Sequence, residues 1–493
     1  MVHGVRVCVL SALIVLLSSL TCFSYSLMPF ENTTADIGRG FGNTLNRYAW
    51  SMEEFHDDVY VGTWNTQLDW PKLIYDIKSG NFDFSGNVLE GISYLYSEGA
   101  EIWRYDQPSR AWSQVFKSST DNNTGVREMV EYNGKLYAST ANSATGTELL
   151  CSEDGESWSP VTGGPTGNPD NNSIRTLLTH NGKLYVGTEN NNSGGELWEF
   201  DNGSWSKNKS FAQDSAVAEL LVKDGSMYAG TWDFTDNFQL YKVNLADFND
   251  HENVTPANSE LNGLSNLGVM KLVEYQGQVY LGTVNYFDGF TLLRSNDPKD
   301  KNSWQILSLN GFGDKSNAYT WAMQEFNGKL YLGTFNSGLY GGRLGPVPLD
   351  GRAELWESKD GLHWDLLMDD GFGSPFNYGI RSMTVANNRL YFGTASNFPL
   401  FNPATYDWSE YGDLLAGYDF DFSLDGLLGL SKDANWHRIV KAIYGLHHDK
   451  KPWIGCEVWA SQPVPEPATM FLVGSGLLGM FGLGRKKLFK HRS

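Results

Sequence analysis

The stretch Asn327-Gly328-Lys329-Leu330-Tyr331-Leu332-Gly333-Thr334 decides the fold, because the chain repeats it. Asn181 to Thr188 reads Asn-Gly-Lys-Leu-Tyr-Val-Gly-Thr, and Asn133 to Thr140 reads Asn-Gly-Lys-Leu-Tyr-Ala-Ser-Thr. Asn-Gly between two apolar runs is the strongest short-range hairpin signal, since both residues accept the positive φ of a type I′ turn. The Tyr-x-Gly-Thr core begins again at Tyr60, Tyr228, Tyr280 and Tyr391, at spacings of roughly 40–80 residues.

Each unit follows the same order. An apolar stretch such as Ile174 to Leu178 leads into the turn, then the Tyr-x-Gly-Thr strand. A Glu-Leu-Trp strand follows, at Glu196-Leu197-Trp198 and Glu354-Leu355-Trp356, with variants at Glu101-Ile102-Trp103 and Glu457-Val458-Trp459. A second turn, such as Ser358-Lys359-Asp360-Gly361, leads to an outer strand. Four short antiparallel strands per repeat, read seven times, predict an all-β fold, a seven-bladed β-propeller. β-branched and aromatic segments punctuated by Gly exclude a helical solenoid.

The spacing also predicts how the ring closes. Gly311-Phe312-Gly313 and Gly371-Phe372-Gly373 each follow an outer strand, and Gly40-Phe41-Gly42 repeats them near the N-terminus. An outer strand is therefore expected within residues 27–37. The last unit ends at Glu457-Val458-Trp459 with no outer strand of its own, so the N-terminal strand should complete it and remove an open edge.

Composition bounds the partners. The 493 residues carry 37 Lys+Arg against 57 Asp+Glu, a net charge of −20, which disfavours nucleic acid and anionic lipid. With 17 Trp, 24 Tyr and 27 Phe the chain can bury a large core, so general disorder is excluded. Once Cys8 and Cys22 leave with an N-terminal leader, Cys151 and Cys456 make no disulfide framework.

Long connections all fall on one face, the one shared by the start of each innermost strand. They are residues 66–99, 337–353 and 398–455, contiguous around the ring, and long loops on a rigid scaffold carry function. Ten residues before each repeat Tyr the innermost strand reads Trp50, Arg127, Arg175, Ala218, Met270, Trp321 and Arg381. Arg127, Arg175, Arg381, Trp50 and Trp321 are the candidate ligand-binding residues: guanidinium forks suit carboxylate or sulfate, and indole faces suit sugar rings or cations. The competing expectation is that each arginine pairs with a nearby carboxylate. A recurring Asn two residues after the repeat Thr (Asn65, Asn142, Asn190, Asn285, Asn336) is expected to cap turns.

Asp419, Asp421 and Asp425 alternate as in calcium loops, but Gly426 stands two places late for an EF-hand and no closing Glu is evident. His437, His447 and His448 lack a convincing zinc arrangement. No catalytic residue, metal or cofactor is assigned. Carboxylates at Asp407, Glu410, Asp413 and Asp419 keep a glycosidase- or lyase-like alternative open.

Two resemblances add to this reading. The Ser-x-Asp-Gly-x-x-Trp turns at Ser152 to Trp158 and Ser358 to Trp364 resemble the Asp-box of sialidase-like propellers, shortened by one residue. That likeness implies a hairpin whose Asp binds backbone amides; the sialidase Arg-Ile-Pro segment is absent and no Tyr–Glu pair can be assigned, so no catalytic role follows. At the C-terminus, Val464-Pro465-Glu466-Pro467 precedes an apolar stretch from Thr469 to Leu483 and the cations Arg485, Lys486 and Lys487. This tail resembles the PEP-CTERM sorting signal of Gram-negative bacteria. It implies processing by an exosortase-type membrane enzyme and display at the cell surface or in an exopolysaccharide matrix. Residues 1–26, with Arg6 before an apolar run, read as a signal peptide. The expected organisation is signal peptide 1–26, propeller 27–463 and sorting tail 464–493, with membrane contact only through the tail. The expected function is binding of polysaccharide or anionic matrix material, the alternatives being a carbohydrate-active enzyme or a protein–protein scaffold.

Overall fold

The computed structural model describes residues 30–68, 95–233, 237–340, 351–374, 376–396 and 455–464. The signal peptide, the acidic insertion with Asp407, Glu410, Asp413, Asp419, Asp421 and Asp425, the three histidines, and the sorting tail from Pro465 through Arg485, Lys486 and Lys487 lie outside them. No helix among the described residues is long and apolar enough to cross a membrane.

All-β organisation follows from the hairpin repeats: among the described residues, 28 strands join one closed antiparallel sheet. Strand β1 (Glu31–Asn32) comes first. The first meander is β2 (Asn46–Phe55), β3 (Asp58–Asn65), β6 (Glu101–Asp106) and β7 (Ala111–Lys117), with a small hairpin of β4 (Gln67–Leu68) and β5 (Leu95–Tyr96) at the base of its long connection. Next come β8 (Gly125–Tyr132), β9 (Lys135–Ala141), β10 (Leu149–Ser152) and β11 (Ser159–Val161). Then follow β12 (Ser173–His180), β13 (Lys183–Glu189), β14 (Gly195–Asp201) and β15 (Ser204–Phe211), and after them β16 (Ala216–Lys223), β17 (Ser226–Trp232), β18 (Leu240–Asn244) and β19 (Asp247–Asn253). The chain continues with β20 (Gly268–Tyr275), β21 (Gln278–Val284), β22 (Leu292–Ser295) and β23 (Gln305–Ser308), then β24 (Asn317–Phe326), β25 (Lys329–Asn336), β26 (Leu355–Ser358) and β27 (Asp365–Met368). Last are β28 (Asn377–Ala386), β29 (Arg389–Ser396) and β30 (Val458–Ala460).

Each innermost hairpin turns through two positive-φ residues, which keeps the strand twist. Asn133-Gly134, Asn181-Gly182 and Asn327-Gly328 do so as expected, and so do His56-Asp57, Asp224-Gly225, Gln276-Gly277 and Asn387-Asn388, which carry no Asn-Gly signal. The repeat glycine is required by close approach. A Cβ on Gly230 would sit 2.6 Å from Val269 of the next meander, and one on Gly333 2.6 Å from Ile380. Ser139 takes this place in the variant copy and bonds the Ile174 carbonyl at 3.2 Å.

The chain ends meet. Glu31 and Asn32 pair with Ala460 and Trp459, so β1 lies outside β30 in the last meander. The Gly-Phe-Gly triplets staple neighbours: Phe41 stacks on Trp103 at 4.9 Å and Phe372 on Trp459 at 5.0 Å. In the Ser-x-Asp-Gly turns, Asp154 accepts the Glu156 and Ser157 amides and Asp360 those of Leu362 and His363.

A polar relay recurs inside the meanders. Asn190 caps its loop by accepting the Asn192 and Ser193 amides and donates to Asn171 at 3.0 Å. Asn171 donates to Glu196 at 2.9 Å, which also accepts the Trp198 indole N–H at 2.9 Å. The same chain runs through Asn65, Asn46, Glu101 and Trp103 and through Asn336, Asn317, Glu354 and Trp356. The asparagines are thus buried scaffold, satisfied at both ends.

Candidate functional site

The aligned ring of the innermost strands is a ring of β-bulges. Pairing with the second strand skips Trp50, Arg127, Arg175, Ala218, Met270, Trp321 and Arg381 in turn. A bulge leaves one residue unpaired and re-aims its side chain. The counting that aligned these residues in the sequence had therefore found one structural position, and the reason it exists is the bulge.

Neighbouring meanders touch just above this ring. Trp64 pairs with Gly125, Glu189 with Ala216, Trp232 with Gly268, Phe335 with Gly379 and Ala395 with Tyr48. This second ring, one residue after the repeat Thr, was missed by the sequence reading. Its signal was present in the recurrence of large residues at Trp64, Trp232 and Phe335.

Small residues in one meander accept large ones from the meander before it. Trp50 lies on Gly125, where a Cβ would come 2.3 Å from the indole, and the Arg127 guanidinium sits over the same indole, 4.9 Å from its centroid. Trp321 is held the same way: a Cβ on Gly379 would come 2.2 Å from it, and Arg381 lies 5.6 Å from its centroid. Arg175 lies 4.3 Å over Trp232, which packs on Gly268. Such cation–π contacts are worth about 0.5–2 kcal/mol, more as water is excluded.

Charge then separates the three arginines. Arg175 Nη1 pairs with Glu189 Oε2 at 3.0 Å, both side chains being well shielded. Burial opposes ionisation of Glu189, yet Arg175 and Arg127 outweigh it and hold its carboxyl below the ordinary value. On the adjoining residues, Lys271 pairs with Glu219 at 3.1 Å; burial disfavours its charge, and Glu219 and Glu128 more than restore it. For Arg127 and Arg381, by contrast, no ion pair is found among the described residues, and their Nε atoms are buried with no hydrogen-bond partner. Burial lowers the pKa of both and Arg175 adds to it, while Glu189 and Glu128 oppose the fall at Arg127 and Glu128 and Glu219 oppose it at Arg381.

Trp50, Arg175, Trp321 and Arg381 are buried, with Arg381 4% exposed, and Arg127 alone is partly exposed. Bulged strands draw the cations into the channel, where indoles take the flat faces of the guanidinium groups. The indoles under Arg175 and Arg381 belong to one aromatic cluster, Trp232, Tyr319, Trp321, Phe335 and Tyr378, with Tyr48 and Tyr286 packed against it. Phe287, beside Tyr286, is 58% exposed. No group of metal ligands occurs among the described residues.

Comparison with known proteins bears on fold and address. Among solved structures, the extracellular domain of a hybrid two-component system from B. thetaiotaomicron is 13% identical, with a TM-score of 0.43 over 71% of this chain and 39% of that one. A prolyl endopeptidase gives 11%, 0.39, 70% and 46% for the same measures. The Bacteroides ovatus protein described as Xyloglucan PUL GH43B gives 17%, 0.28, 42% and 47%. The chain thus spans less than half the length of each. No curated protein matches the chain. Residues 106–229 match the DUF6242 β-propeller domain and residues 463–486 match the PEP-CTERM protein-sorting motif, so the chain carries a β-propeller and a C-terminal signal for export, transient membrane anchoring and exosortase processing in a Gram-negative bacterium.

Proposed function

We propose that this is a surface-sorted, seven-bladed β-propeller that binds an extracellular ligand, polysaccharide or anionic matrix material, at the end of its channel from which the long connections leave. The proposed division is a signal peptide at 1–26, the propeller at 27–463 and the sorting tail at 464–493. One observation carries the binding reading. Among the described residues Arg127 and Arg381 form no direct ion pair, with Glu128, Glu189 and Glu219 acting on them only at longer range, in a chain of net charge −20. A buried guanidinium retains its charge at a cost, and a carboxylate or sulfate arriving from solvent offsets that cost through paired N–H donors.

The test is binding of the exported protein to a panel of neutral and anionic polysaccharides, wild type beside Arg127→Ala/Arg381→Ala. Retention of acidic glycans by the wild type and its loss in the folded double variant supports the reading. Equal binding by both, or none by either, ends it. A product assay on bound glycans separates a lectin from a carbohydrate-active enzyme. A second reading, a protein–protein scaffold, draws on the burial of Arg175, Trp321 and Arg381 and on the exposed Phe287.

A further inference from the structure

The sorting motif does not begin beyond the folded body. Val464, the first residue of its Val-Pro-Glu-Pro run, donates its backbone N–H to the Asn388 carbonyl at 2.9 Å and packs with the buried cluster of Phe372, Leu390 and Phe392. Ser461 is bound before it: its N–H donates to the Leu390 carbonyl at 2.8 Å and its hydroxyl accepts the Leu390 N–H at 3.0 Å. The lead into the motif thus continues β30 along the hairpin of β28 and β29.

Arg389 joins this segment to the other end of the chain. Its Nε donates to the Ser461 carbonyl at 2.7 Å, and its Nη2 pairs with Glu31 Oε2 at 2.7 Å. Arg389 is buried, and Glu31 is the residue of β1 that pairs with Ala460. One side chain therefore ties the strand that closes the sheet to the carbonyl three residues before the motif. From Val464 to Thr469, where the apolar stretch begins, the chain reaches at most about 17 Å even fully extended.

We infer that the closed propeller competes with the processing enzyme for the sorting motif, and that Arg389 is the positioning residue that holds the motif on the fold. An enzyme that reads Val464 together with Pro465, Glu466 and Pro467 must first release Val464 from Asn388 and from its apolar seat. That release is a local opening, one hydrogen bond and one half-buried side chain, and it lowers the fraction of chains open to processing by about tenfold. This inference rests on the sorting motif and is independent of what the channel binds.

The test follows the full-length chain by pulse-chase in a Gram-negative host that has an exosortase, reading the half-life of the tail-bearing precursor. A Gly-Ser-Gly-Ser insertion between Gln462 and Pro463 moves the motif off the fold and leaves β30 paired; it should shorten that half-life about tenfold. Arg389→Met should shorten it about threefold in chains whose body still resists added protease. If Arg389→Met does not fold, the insertion decides alone. An insertion variant processed no faster than wild type overturns the inference.

Discussion

Arg127 lies over the indole of Trp50, 4.9 Å from the ring centroid, while Gly125, two residues before the arginine, supports the indole from the same strand. One strand thus holds a tryptophan of its neighbour with a Gly-x-Arg pair, and Gly379 and Arg381 hold Trp321 likewise. Gly125→Ala should cost about 1–3 kcal/mol by overpacking, and Trp50→Ala about 3–5 kcal/mol by leaving a cavity. Because the added methyl would occupy space the indole vacates, the double variant should lose less than the sum. Urea denaturation of the four proteins checks this, and strict additivity would count against the sandwich.

The Arg175–Glu189 pair is shielded on both sides. Glu189→Gln should destabilise by about 3–5 kcal/mol, since it leaves a buried guanidinium uncompensated. Arg175→Met with Glu189→Leu should recover most of that loss. Denaturant midpoints of the single and double variants decide the matter.

Glu53 accepts the Glu131 amide at 3.3 Å, and burial, with Glu54, Glu128 and Glu131 nearby, pushes its carboxyl up to about 8. The folded chain then keeps a proton that the unfolded chain releases near its ordinary value of 4.5. Stability from this group is complete below that value and is lost as pH rises through about 8. Glu53→Gln, which stays neutral, should flatten the fall in Tm between pH 5 and 9; an unchanged slope would remove Glu53 as its cause.

Closure rests on two paired residues of β1, supported by Phe30 against Phe372 at 5.5 Å and Phe392 at 5.3 Å. Deleting residues 30–36 should expose the edge of β30 and lower stability by about 2 kcal/mol or more. Thermal melting reports the loss, and size-exclusion chromatography should show association through the open edge.

Sequence alone determined the hairpin repeat, the place of the closing strand and the nature of the tail, because each is written in local chemistry. Asn-Gly turns, Tyr-x-Gly-Thr cores and Gly-Phe-Gly triplets report backbone conformations that few residues allow. Even the bulge ring was legible as a constant count back from the repeat Tyr. What those bulged residues do was decided only in three dimensions. Whether a guanidinium meets a carboxylate or an indole depends on the adjoining meander, tens of residues away in the chain. Arg175 found Glu189 on its own hairpin, whereas Arg127 found Trp50 across a meander boundary. The hold on Val464 was equally invisible, since Asn388 meets it only once β30 has paired with β29. Turn chemistry is local, whereas ion pairing and desolvation depend on which surfaces the closed sheet brings together.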